Sequence, residues 1–218
     1  MIKTSIRLLA LSNAFALAFL ALLTFVSINS QIPMGTLTRD PATLEGFHPL
    51  IGILSNLGIL LWCGTAAVCL FGAVILHQNG SKNAGRFLAG SAFLTFFLLF
   101  DDFFLFHDVL SRQYFGIREK GVYVIIVTIT IIYAAIFWRT ILKTEYIVLG
   151  FALILLASSL GIDALLAGLT EKMGEWSFLV EDGLKFLGIV AWCNYFMGTS
   201  YRFVVEGLSN AIKNPENS

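Results

Sequence analysis

The chain has 218 residues, of which 57% are hydrophobic and only 13% charged, with a mean hydropathy of +0.83; an ordinary soluble domain is excluded. Its 14 Lys and Arg balance 14 Asp and Glu, which leaves no net charge with which to hold nucleic acid or another charged polymer. What remains is an integral membrane protein in the lipid bilayer, in which the placement of each charge carries the information.

Six runs are long enough to cross a hydrocarbon core of about 30 Å, which takes roughly 20 helical residues. In chain order they are residues 8–27, 49–77, 87–106, 122–138, 146–167 and 177–201. The fold class expected is therefore all-α, a polytopic membrane helix bundle with six transmembrane helices in a single domain. The first run has the basic start of a signal peptide, but its apolar body is longer than the usual 7–15 residues and no small-x-small cleavage site follows it. It reads as an uncleaved span.

Residues 28–48 carry Pro33, Gly35, Pro41 and Gly46 and read as an outer loop. A polar turn, QNGSKNAGR, separates the second and third runs, and residues 210–218 read as a flexible tail. Lys3, Arg7, Lys82, Arg86, Arg139, Lys143, Arg202 and Lys213 fall on one side of the six runs, against Arg39, Arg112, Arg118, Lys120 and Lys172 on the other. By the positive-inside rule the richer side is cytoplasmic, both termini included. The expected location is a bacterial inner membrane, with multiple passes.

The third run ends in FDDFFLFHD, Phe100 to Asp108. On one continuous α-helix Asp101 and Asp108 would lie nearly on a line, flanked by Asp102 and His107. Carboxylates at such depth cost several kcal/mol unless protonated, paired or bound to a cation. Counting at about 1.5 Å per residue, Ser55 and Asn56, Asp101 and Asp102, Asp163, and Glu181, Asp182 and Lys185 all reach one layer beneath the outer surface, with His107 and Asp108 just above it. His48 would close this layer from the loop. Lys185 is the one cation in the set, expected to pair along its own helix with Glu181 at i,i+4 or Asp182 at i,i+3.

Three functional classes follow. The first is a transporter or channel whose outer-leaflet acidic pocket binds protons, a cation or a cationic small solute. The second is a membrane-embedded metal-dependent hydrolase acting on lipid, with His107, Asp108, Asp102 and Asp182 as ligands. Ser55 and Asn56, followed by a helix bearing His107 and Asp108, partly resemble the alkaline ceramidase and adiponectin-receptor superfamily of membrane zinc hydrolases, a resemblance that implies a zinc held by histidines from two helices. No HxxxH pair follows in the last run, since no histidine comes after His107. The third class is an accessory or assembly subunit, joined to a homo-oligomer or a larger membrane complex.

Other features read as structural. Cys63, Cys69 and Cys193 have no CxxC spacing. Ala157, Gly161, Ala164 and Gly168 form a small-residue stripe suited to close helix approach.

Overall fold

The computed structural model describes residues 2–39, 41–48, 50–165 and 176–213. These are mostly helical, with no strand among the described residues. They divide into two compact units, Met1–Gly52 and Ile53–Ser218.

The first unit holds α1 (Ile2–Ser30) and two short helices, α2 (Met34–Thr38) and α3 (Pro41–Glu45). The stretch expected to be a loop is thus partly helical. Gln31 adopts a left-handed backbone at φ 53°, and Ser27 Oγ donates to the Ile32 carbonyl at 2.7 Å. Together they close the end of α1. Its portion Asn13–Ser30 is long and apolar enough to cross a membrane.

The second unit contains α4 (Ile53–Gln78), α5 (Lys82–Phe103), a π-helical turn (Phe106–Leu110), α6 (Ser111–Phe115), α7 (Glu119–Ile141), α8 (Tyr146–Leu165) and α9 (Trp176–Lys213). The polar turn after α4 is tighter than QNGSKNAGR suggests. Gly80 sits at φ 76°, and the Ser81 N–H returns to the Leu76 carbonyl at 2.9 Å. This is the left-handed stop that glycine supplies at a helix C-terminus, and α5 resumes at once.

In lipid, helix association rests on close packing and interhelical hydrogen bonds, since an apolar side chain loses little by facing acyl chains. Here α4 packs on both α5 and α9, α9 packs on α8, and α7 packs on α5. Trp62, Leu76, Phe87, Leu94, Trp192 and Phe196 fill the interior between them. A Cβ placed on Gly188 would come within 2.8 Å of Leu156, so α9 approaches α8 through that glycine. Of the Ala157 to Gly168 stripe, Ala157 is exposed and Gly161 has nothing within 4 Å of an added Cβ, while Gly168 and the Ala164 side chain lie outside the described residues.

Polar ties add to the packing. Ser91 and Tyr133 hydroxyls meet at 2.6 Å between α5 and α7, Thr144 and Tyr195 at 2.6 Å beside α8 and α9, and Trp192 Nε1 donates to Thr95 at 3.1 Å. Such bonds contribute about 0.6 kcal/mol each inside membranes.

Three helices of this unit, α4, α5 and α7, are long and apolar enough to span a bilayer, as is the end of α1; in α8 the apolar stretch Tyr146–Ile162 is shorter. With 38 residues, α9 is about 57 Å long, but its apolar core is interrupted by Glu181, Asp182, Lys185, Asn194 and Arg202.

Candidate functional site

No proline or glycine lies in FDDFFLFHD, and local propensity alone would continue the helix. It does not continue. α5 ends at Phe103, Leu105 turns left-handed at φ 50° and ψ 44°, and a π-helical turn begins at Phe106. A left-handed leucine costs roughly 1–2 kcal/mol, so something must offset it.

The offsetting group is Asp101, which is 6% exposed. Its Oδ1 accepts the His107 backbone N–H at 3.0 Å, and its Oδ2 lies 2.8 Å from His107 Nδ1. A carboxylate accepts only, so the imidazole donates through Nδ1. Hydrogen bonds to a charged group contribute about 1.5–3 kcal/mol each, enough to hold the break. The expectation of one acidic helix face is therefore corrected: the chain folds back, and His107 sits on Asp101 rather than beside it on a straight helix.

Asp102 faces a different set of helices. Its Oδ2 accepts Trp62 Nε1–H from α4 at 2.9 Å, and its Oδ1 meets Lys185 Nζ from α9 at 2.7 Å. One carboxylate thus ties three helices together. Beyond the acids counted along its own helix, Lys185 thus makes a cross-helix bridge, because α9 packs on α4 and brings the ammonium to α5. Trp62 in turn stands edge-on to Trp192, with ring centroids 5.6 Å apart.

Around these groups lies a cavity of about 560 Å³, within the ~300–1,000 Å³ typical of small-molecule sites. Five carboxylates, Asp101, Asp102, Glu119, Glu181 and Asp182, share its wall with one lysine, Lys185. Carboxylates thus outnumber cationic side chains on this wall. Asp101, Asp102 and His107 can also offer one ligand atom each within 4.8 Å of one another, close enough to hold a metal ion.

Ser55 also lines the cavity, whereas Asn56 is exposed on α4 and takes no part in the wall. The side chains of Asp108 and Asp163 lie outside the described residues. Asp182 is not part of the ligand cluster, and Asp101 takes the place expected for it. His48 makes a local turn, its Nδ1 accepting the Leu50 N–H at 3.2 Å.

Several wall residues escaped sequence reasoning. Glu119 and Tyr123 were outside or at the edge of a run taken to begin at Val122, yet α7 begins at Glu119, and Tyr123 Oη donates to Glu119 Oε1 at 2.8 Å. The Tyr123 ring lies 5.5 Å from that of His107. The signal was present: an acid followed four residues later by a tyrosine, both on one helix face. Trp62 and Trp192 were hidden among apolar neighbours.

The family described as "Domain of unknown function (DUF8692)" matches residues 13–199. The chain belongs to this family. The matched segment includes every described residue of the cavity wall, from Ser55 to Trp192. No curated protein and no solved structure matches the chain.

Proposed function

We propose that the chain is a six-span inner-membrane transporter of organic cations, a single domain with both termini cytoplasmic and its acidic pocket in the outer leaflet. The observation that carries this reading is the cavity itself, in which five carboxylates face one lysine across about 560 Å³. A bare proton or metal ion would leave most of that space empty. An organic cation fills it, with carboxylates to balance its charge and the half-buried Tyr123 ring on the wall beside them, an aromatic group of the kind that attracts cations when desolvated.

Within this reading Asp102 and Lys185 form a pair that an incoming cation competes to open, and Asp101 with His107 holds the adjoining turn in place. Glu119, Glu181 and Asp182 supply the attraction at the entrance. Asp108, Asp163 and Ser55 complete the proposed site. The direct test is isothermal titration of the full chain in lipid nanodiscs with tetramethylammonium, followed by uptake into proteoliposomes. Saturable binding that weakens at least tenfold in Glu119→Gln and Asp182→Asn is expected. Absence of binding, or binding indifferent to both substitutions, would sink the proposal.

A second reading, a metal-dependent hydrolase acting on lipid, is favoured by the proximity of the Asp101, Asp102 and His107 ligand atoms. Against it, the cluster offers a single histidine, and a metal ion would occupy little of the cavity. Near-stoichiometric zinc, manganese or iron in the purified protein would reverse the preference.

A further inference from the structure

The cavity is not uniform along its length. Its charged groups gather at the start of α7 and of α9 and at the end of α5, where Glu119, Asp101, Asp102 and Lys185 stand. Further along, the walls turn apolar. On α7 the wall runs from Glu119 to Ile131, about 18 Å at 1.5 Å per residue, and beyond Tyr123 its members are Ile126, Val127, Thr130 and Ile131. Across from them α8 contributes Leu153, Leu156, Ala157, Ser159 and Leu160, all but Ser159 apolar.

These two helices stand at the ends of the packing series α8, α9, α4, α5, α7, and among the described residues they do not pack closely on each other. Val127, Ile131 and Ala157 belong at once to the cavity wall and to the exposed surface of the unit. The cavity therefore opens sideways between α7 and α8, at the depth of apolar helix. In a bilayer this opening faces acyl chains.

Resting on the cation-pocket reading above, we infer that the ligand is a single-chain amphiphile with a cationic head, drawn laterally from the bilayer between α7 and α8. Its head sits among Asp102, Glu119 and Asp182, and its hydrocarbon chain lies along Ile126, Ile131, Leu153 and Leu156. Both halves of the cavity are satisfied by such a molecule. A compact water-soluble cation satisfies the charged half only, leaving apolar wall against water.

The test uses the full chain in nanodiscs, with empty nanodiscs as the partition control. Bound radiolabelled tetramethylammonium is displaced by a series of alkyltrimethylammonium ions from methyl to decyl. Potency is expected to rise at least a hundredfold along the series in the unmodified protein, and this advantage should shrink below threefold in Ala157→Trp, which narrows the gap. Val127→Trp, on the facing wall, serves if Ala157→Trp no longer binds tetramethylammonium. A flat series in the unmodified protein overturns the lateral amphiphile while leaving a cation pocket in place. A rising series untouched by both tryptophans overturns the α7–α8 route. Failure of every member to bind removes the cation pocket itself, and this inference with it.

Discussion

Replacing Asp101 by alanine tests the claim that one carboxylate holds the break after α5. The substitution deletes two bonds, to the His107 N–H at 3.0 Å and to its Nδ1 at 2.8 Å. At about 1.5–3 kcal/mol each for a charged acceptor, the loss is about 3–6 kcal/mol. Release of Leu105 from its left-handed conformation returns about 1–2 kcal/mol. The segment from Phe104 to Leu110 should then open more easily by about 1–5 kcal/mol, or about five- to four-thousandfold in the local opening equilibrium. Hydrogen–deuterium exchange in nanodiscs, read by mass spectrometry on peptides covering Phe104 to Leu110, measures this directly. Asp102→Ala is the control: its partners are Trp62 and Lys185, so it should leave the His107 amide protected. Unchanged exchange in a folded Asp101→Ala protein would show that the turn stands without its carboxylate and that the break has another cause.

Lys185→Met should destabilise the protein by about 1–3 kcal/mol, below the usual cost of breaking a buried pair because the lysine side chain is 37% exposed. Asp102→Asn added to Lys185→Met should recover part of that loss; denaturation in mild detergent decides, and a double variant worse than the single one contradicts the pairing. Gly188→Val should lower thermal stability by about 1–3 kcal/mol through overpacking, since even a Cβ there meets Leu156 at 2.8 Å. Gly183→Ala, five residues earlier on the same helix and with nothing within 4 Å of an added Cβ, should be neutral or stabilise by up to about 1 kcal/mol. Equal effects at both glycines would refute the close approach of α8 and α9.

The helical class was legible because composition and long apolar runs decide it. Ser55, Asp101, Asp102, Glu181, Asp182 and Lys185, which helical rise counts to similar positions along their runs, line one cavity. Rotation about each helix axis was not legible, and the mistakes have that origin. Asn56 follows Ser55 by one residue, about 100° around the helix, and is turned out of the wall. The contact of Lys185 with Asp102 could not be counted along one helix either, since it depends on how three helices pack. The break at Leu105 was invisible for another reason: it is imposed by Asp101 reaching six residues forward, a tertiary choice that no turn residue announces.

Among the long helices of the second unit, α7 commits little to the interior: Val122 and Tyr133 are its buried residues, against eight on α4. A wall so sparsely anchored yields before its neighbours do. Displacing α7 outward would part the Ser91–Tyr133 tie and the packing of Tyr133 and Phe137 on Phe87, while the knot of Trp62, Asp102 and Lys185 lies wholly on α4, α5 and α9. The molecule is thus built as a firm half that keeps its charges in register and a pliant flank that can make room.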